Sequence, residues 1–489
     1  MRISWWMVAV AVAGCAPNIT ELPKEVVADT TRGGSPPVGT SPPPVPPTSS
    51  PLVILPGEDI QAKLDAQPAG TRFTIAAGTH RLQTIRPKDG VQLIGAAGAV
   101  LSGARVLTQF ERDGSLWVVT GQAQENSLAG QCEANPPMCR QPEDLFIDNR
   151  RLEPVASKGE VAAGKWFFDR ASDRVYFADD PAGRVVEIGV VPHAFVGAAD
   201  GVVIQNITIE KYATPAQQGA VQGDQSRNWT LENVDVRLNH GTGVRLGDGM
   251  RVLRSRVTSN GQLGIGGSGR GILLESTEIA YNNAAGYKQA WEAGGTKFTR
   301  TEDLVVRGNH VHHNAGHGLW TDIDNIRTLY EFNRCEDNAL SGIFHEISYG
   351  ATIRDNTARR NGAGSPVWVD GAGILVNSSR DVEIYNNTVD GNANGIAAVQ
   401  SARGTGRYGD YRVANLYVHD NVSTLVRGST GLVQNEGSAA VFQDSTNRFR
   451  NNRYIIGYAG RPFAWNDRTL SFSQWQALGH DQQGTAGTP

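Results

Sequence analysis

The residues best placed to do chemistry fall in three strings: Gly286-Tyr-Lys-Gln-Ala-Trp-Glu292, Gly318-Leu-Trp-Thr-Asp-Ile-Asp324 and Gly342-Ile-Phe-His-Glu-Ile-Ser348. Each begins on a glycine and sets aromatic, basic or acidic side chains at matching offsets. Read as strands, their side chains alternate between two faces. Leu319 and Ile323 then face in, with Ile343, His345 and Ile347 doing the same one string later. Stacked, the strings give three outward columns: Lys288/Trp320/Phe344, Ala290/Asp322/Glu346 and Glu292/Asp324/Ser348. Neighbouring strands lie roughly 4.8 Å apart, so this reading gathers Glu346, Asp322, Asp324 and Glu292 into one patch beside exposed aromatics. Like charges that close raise at least one pKa. One carboxyl is then a proton donor and an ionised neighbour a base or nucleophile. The same acids also read as a solvated outer face. As hard oxygen donors, Asp322, Asp324 and Glu346 read as well as a Ca²⁺ site.

Other groups flank the patch. The stretch Glu292-Ala-Gly-Gly-Thr-Lys-Phe298 and the segment Trp368-Val-Asp370 read as walls of a groove. Lys288 and Lys297 are placed to pair with the acids or to hold an acidic ligand, and His317 to reach the groove. Trp320 and Phe344 offer flat apolar surface to a ring. His345 faces inward as a buried, hydrogen-bonded histidine. His310, His312 and His313 sit at a turn, with no companion ligand at a convincing metal-binding spacing.

Elements that hold such a patch must repeat. The motif Asn-x-Val-x-x-Asn-x-x-x-Gly-(Ile/Leu) runs from Asn309 through Gly318 and Leu319. It returns, with Cys335 for the valine, from Asn333 through Gly342 and Ile343, and again, one residue shorter before the glycine, from Asn387 through Gly395 and Ile396. Glycines at 243, 264, 286, 318, 342, 373 and 395 are separated by 21, 22, 32, 24, 31 and 22 residues. The base period suits a three-sided solenoid, with about ten residues inserted at 294–303 and at 362–372. Inward aliphatics such as Ile204, Ile209, Val306, Ile353 and Ile384 stack from rung to rung. The repeated asparagines form side-chain ladders that satisfy turn amides.

The repeat predicts an all-β parallel solenoid with a small β-rich insertion, and the resemblance given below implies the full fold class, a single-stranded right-handed parallel β-helix with an N-terminal helical cap. Its parts are residues 56–102 (cap and first rungs), 103–190 (insertion, with strand-like Leu145-Phe146-Ile147 and Trp166-Phe167-Phe168), 191–460 (the solenoid) and 461–489 (a C-terminal cap with a disordered tail). Composition agrees: 57 glycines in 489 residues and only 19% charged residues suit a turn-rich β protein. A net charge of −4 gives no broad basic field for nucleic acid. The apolar run Trp5 to Ala13, ending Val12-Ala13-Gly14-Cys15, resembles a bacterial lipoprotein signal. That implies residues 1–15 as signal peptide, lipid on Cys15 and an anchored protein of the cell envelope at the outer membrane. Residues 16–55, rich in Pro, Ser and Thr, read as a tether that cannot bury a core. In the oxidising compartment an export signal implies, Cys132 and Cys139 pair as a local disulfide. Cys335, in a position held elsewhere by Val311 and Val389, is a buried apolar residue.

From about residue 55 to 480 the chain resembles bacterial right-handed β-helix repeat proteins of the pectin-lyase-like superfold. These include pectate lyases, polygalacturonases, alginate epimerases and several glycoside hydrolases. The strings carrying the resemblance are GLWTDIDN (318–325), GIFHEIS (342–348) and EAGGTKF (292–298). Asp322 and Asp324 resemble the paired aspartates of polygalacturonases, without that family's surrounding motifs. The calcium acids and catalytic arginine of pectate lyases are not evident. The resemblance implies an exported, carbohydrate-active protein acting on an extracellular polysaccharide as a monomer. The first expectation is a glycoside hydrolase needing no cofactor. In it Glu346 and Asp322 are the acid–base pair, and Asp324 and Glu292 tune it or bind sugar. The second is a polysaccharide lyase or epimerase using Lys288 or Lys297, with Ca²⁺ as an optional ligand. The third is a non-catalytic glycan-binding or structural β-helix.

Overall fold

A computed structural model describes residues 52–363, 365, 369–434 and 439–489. The signal segment with Cys15, the tether through residue 51, and Trp368 lie outside the described residues.

The strands wind in threes. Each full turn sends one strand to each of three long sheets, two of 13 strands and one of 12, and neighbours within a sheet come from successive turns. Strands thus recur one above another in parallel register. On one sheet Leu93, Ile204, Leu231, Val252, Leu274, Val306, Tyr330, Ile353, Ile384, Val418 and Phe449 stack into a single inward column. All are 1% exposed or less. Stacking like on like lets every rung bury the same small face and removes the need for a globular core. Cys335 sits in the equivalent column of the second 13-stranded sheet, between Val311 and Ala358.

The motif asparagines occupy two buried ladders at the turns. In one, the Nδ2 of Asn239, Asn260, Asn282, Asn314, Asn338 and Asn361 each donates to the Oδ1 of the next asparagine, ending on Asn392, at 2.8–3.1 Å. In the other, Asn309, Asn333, Asn356, Asn387, Asn421 and Asn452 do the same and finish on Asp481. Each Oδ1 also accepts from a backbone N–H, as Asn338 does from Asn314 at 3.2 Å. The turns therefore keep their amides bonded where water cannot reach them.

Both ends are covered. The helix Ile60–Asp65, N-capped by Asp59, lays Ile60 and Leu64 over the first coil. The helix Phe472–Ala477, with a capping box between Ser471 and Gln474, puts Trp475 against Phe463 and Phe449. The final residues are ordered rather than loose, because Thr485–Gly487 adds a strand beside Arg453–Ile456.

Residues 104–189 form a four-stranded and a five-stranded sheet, with a core of their own around Trp166, Phe168, Val175 and Phe177. Buried polar contacts tie this unit to the solenoid: Asp144, paired with Arg151 inside the unit at 3.0 Å, meets His240 at 3.2 Å, and Glu187 meets Lys211.

One insertion lies elsewhere than its expected place. Residues 294–303 are not a loop; Gly294–Glu302 is a nine-residue strand of the 12-stranded sheet. The extra residues of that turn precede it, and only the short helix Gln289–Glu292 is regular among them.

Candidate functional site

The outer face of the 12-stranded sheet carries the site. Leu319–Asp322 and Ile343–Glu346 pair in parallel, so Trp320 lies opposite Phe344 and Asp322 opposite Glu346. Leu319 and Ile343 point into the solenoid, as do Thr321 and His345. His345 is buried, with its Nδ1 2.8 Å from Thr321 Oγ1, and burial pushes its pKa down to about 3. Each acid is the last residue of its strand. The next residue in each case is an isoleucine with left-handed backbone, Ile323 at φ 63° and Ile347 at φ 33°, a conformation a β-branched residue adopts only under constraint.

Those two turns redirect the chain beyond each acid. Asp324, at φ 58°, belongs to the turn rather than to an outward column, and Ile323 faces neither core nor column as a strand residue would. Ser348 is buried inside a polar ladder, its Oγ 3.0 Å from Asn325 Nδ2. The expected Glu292/Asp324/Ser348 column therefore does not form.

The rung below is also occupied differently. Phe298 pairs with Thr321, which sets Lys297, not Lys288, beneath Trp320. Lys297 Nζ reaches Asp322 Oδ2 at 3.0 Å, donates to Trp291 O at 3.0 Å, and lies 3.9 Å from the centre of the Trp320 ring. The segment 286–292 is held away from the strands by the disulfide-bonded loop of Cys132 and Cys139: Lys288 N–H donates to Gln131 O, and Glu133 N–H donates to Gly286 O. Lys288 is exposed there. Glu292 turns from the acid pair to Arg245, at 3.0 Å, and accepts from Gln217 Nε2 at 2.6 Å.

Two acids of the expected four remain together, and their surroundings differ. Asp322 is 6% exposed and ion-paired with Lys297; Glu346 is 8% exposed and accepts from Arg403 Nη1 at 2.6 Å. Burial, and then the Asp322 charge, push the Glu346 carboxyl up to about 7; Arg403 and Lys297 pull the other way without cancelling the rise. Arg403 comes from a loop 57 residues further along the chain. No repeat rule connects it to Glu346; the only sequence signal was a stretch dense in Arg, Gly and Tyr between two strands.

The aromatic column faces outward but is covered. Trp320 and Phe344 are 3% and 6% exposed and stack at 5.8 Å. They belong to one buried apolar cluster with Leu375, Ala397, Val399, Val433 and Ala464, and with Val369 from the inserted segment. They are not the exposed platform expected of them. His317 fills the space beside them, 4.7 Å from Phe344 and 5.1 Å from Trp320, ring to ring. Burial, then Lys297, hold its pKa down to about 3, so it is neutral packing. Asp370, half-buried in the segment that supplies Val369, is raised to about 6 by desolvation.

Two buried polar atoms here lack partners among the described residues: Asp322 Oδ1 and Trp320 Nε1. One acceptor and one donor, both buried, match what a hydroxyl group offers and takes. The residues do not fit a calcium ion. Lys297 and Arg403 already occupy the carboxylates of Asp322 and Glu346, and Asp324 points elsewhere. Among the described residues no group of three or more His, Cys, Asp or Glu is placed to hold a metal, the His310, His312 and His313 cluster included. An open trough of about 600 Å³ lies on another sheet, lined by residues including Arg327, Leu329, Thr352, Tyr417 and Arg448.

Comparison with known proteins bears on the fold. The family described as the right-handed beta helix region matches residues 219–408. The structure of XylC with xylose superposes with a TM-score of 0.56 at 14% identity, over 88% of this chain and 79% of that one. The A-module of the mannuronan C-5 epimerase AlgE4 of Azotobacter vinelandii gives 0.47 at 13% identity, over 88% and 92%. The catalytic unit of the GH87 alpha-1,3-glucanase of Streptomyces thermodiastaticus gives 0.37 at 12%, over 86% and 70%. No curated protein matches the chain.

Proposed function

Taking the chain as a right-handed parallel β-helix protein of pectin-lyase-like fold, we propose that it is a carbohydrate-active enzyme, a glycoside hydrolase whose proton donor is Glu346 and whose ionised partner is Asp322. The observation that carries this reading is the contrast between two neighbouring carboxyls. Asp322 is held by the Lys297 ammonium, while Glu346 is raised to about 7. A buried carboxyl raised in this way, beside a second carboxyl paired to a cation, is suited to act as a proton donor with that neighbour as its partner.

In the reaction Glu346 gives its proton to the glycosidic oxygen as the bond to the anomeric carbon breaks. Asp322 lies one strand spacing away, roughly 4.8 Å. That is close to the roughly 5 Å separation of pairs in which the second carboxylate attacks the sugar. Its oxygen forms an ester to the anomeric carbon. Water then cleaves the ester while the Glu346 carboxylate takes the proton back. The unpartnered Asp322 Oδ1 and Trp320 Nε1 supply an acceptor and a donor for a sugar hydroxyl.

A lyase or epimerase needs a base or a cation free to act on a uronate. Lys297 Nζ is committed to Asp322 and Trp291, and Lys288 is exposed on the segment bonded to Gln131, outside the strand column, so the hydrolase reading is preferred. Export, lipidation of Cys15 and action at the cell envelope on an extracellular polysaccharide belong to the same proposal. The test is release of reducing ends from a panel containing xylan, alginate and an α-1,3-glucan, with ultraviolet absorbance followed in parallel. Absorbance, the mark of an unsaturated uronate, would transfer the assignment to a lyase.

A further inference from the structure

We propose that Asp324 is a positioning residue: it latches the hairpin of residues 401–412 so that Arg403 caps Glu346. The inference rests on the assignment of Glu346 as proton donor, and it gives the second aspartate of the Asp-Ile-Asp string a role outside the acid pair.

The hairpin joins the strands Asn394–Gln400 and Ala414–His419 through the antiparallel pair Thr405–Gly406 and Gly409–Asp410. Asp324 Oδ1 accepts from Arg407 N–H at 2.8 Å and from Tyr411 Oη at 2.6 Å. Further anchors hold the tip and the base. Tyr408 Oη donates to Glu302 Oε1 at 3.0 Å, Tyr349 Oη donates to Gly409 O at 2.7 Å, and Val413 N–H donates to Gln400 Oε1 at 2.7 Å. Tyr349 also packs its ring against Tyr408 at 5.2 Å and Tyr411 at 5.7 Å.

The latch leaves no slack. A Cβ on Gly406 would stand 2.2 Å from Tyr411 Oη and 2.3 Å from Asp324 Oδ1. Any side chain there would separate the two. The left-handed turn at Ile323 and Asp324 is what aims the second carboxylate at the hairpin while Asp322 stays at the strand end. One strand terminus therefore supplies a member of the acid pair and the grip on the loop that carries Arg403. The charged groups bearing on Glu346 are Asp322, from the rung below, Lys297, one rung lower, and Arg403, from the hairpin. Of these, only Arg403 rides on a loop.

The test is a titration of Glu346 by ¹³C-carboxyl NMR in the full chain, its signal assigned by loss in Glu346→Gln. Arg403→Ala is expected to raise the midpoint by about 1 unit, since an opposite charge within reach lowers a carboxyl by that much or more. Asp324→Ala and Gly406→Ala should move it the same way. Asp324→Asn should leave it in place, because the amide oxygen accepts the same two hydrogen bonds. A midpoint unchanged in Asp324→Ala and Gly406→Ala, while Arg403→Ala shifts it, overturns the latch. A midpoint unchanged in Arg403→Ala overturns the cap. The titration needs no substrate, so silence on every polysaccharide would count against the hydrolase assignment and leave this result standing.

Discussion

Glu346 sits directly over Asp322 on the next turn of the solenoid, each closing its strand and each succeeded by an isoleucine in left-handed backbone. The repeat therefore does two things at once. It supplies the strand spacing that brings two carboxyls together, and it breaks both strands at the same height, which frees the residues beyond them to differ. Lys297 then pairs with Asp322 and Arg403 with Glu346, while burial and the Asp322 charge raise the Glu346 carboxyl.

Activity should depend on pH through Glu346. Burial and the neighbouring Asp322 charge raise its carboxyl to about 7, so the proton needed for catalysis is present below that value. The rate on a polysaccharide substrate is expected to fall as pH rises through about 7. A flat rate between pH 5 and 9 would contradict the assignment.

The same shift affects stability, with a definite sign. The group ionises near 4.5 when unfolded and about 7 when folded, so the native state holds the proton more tightly between those values. The contribution is complete below 4.5 and is lost as pH rises through about 7. Urea midpoints of wild type should fall from pH 5 to pH 8 by more than those of Glu346→Gln, which has no proton to lose.

Removing the Lys297 ammonium should be costly. Lys297→Met leaves Asp322 buried with no cation, and breaking a buried pair from one side destabilises by about 3–5 kcal/mol. Adding Asp322→Asn to the same chain should restore much of that, because the orphaned charge goes with it. Chemical denaturation of the two single variants and the double variant measures the coupling.

The asparagine ladders predict a cost far from the site. Asn338→Ala deprives Asn314 Nδ2 and the Asn314 N–H of their common acceptor, Asn338 Oδ1. A buried donor left unpaired costs about 1–3 kcal/mol. A lower denaturation midpoint with unchanged activity is expected; equal loss of both would mean that the ladder also shapes the site.

Legibility in the sequence tracks repetition in the fold. Asn309, Asn314, Gly318 and their equivalents recur because every rung solves the same packing problem, so the solenoid, the ladders and the buried Cys335 could be read from spacing. Alternation and stacking likewise located Asp322 beside Glu346 and turned His345 inward. Spacing misleads where the rung is irregular. Gly286 looks like the next repeat glycine, yet the strand of that turn starts at Gly294, because an inserted segment fastened by the Cys132–Cys139 loop precedes it. That shift replaces Lys288 by Lys297 and removes Glu292 from the patch. Asp324 is misplaced when alternation is carried past Ile323, where the backbone turns left-handed. Arg403 and the cover over Trp320 and Phe344 come from loops, whose positions no periodicity encodes.

Proton donation from Glu346 to a glycosidic oxygen is tested most directly by reducing-end release. Wild type and Glu346→Gln would be compared on xylan, alginate and an α-1,3-glucan, with circular dichroism to show that both chains are folded. Release by wild type without ultraviolet absorbance is expected, lowered about 10²–10⁴-fold in the variant. Equal release by both proteins would contradict the role of Glu346.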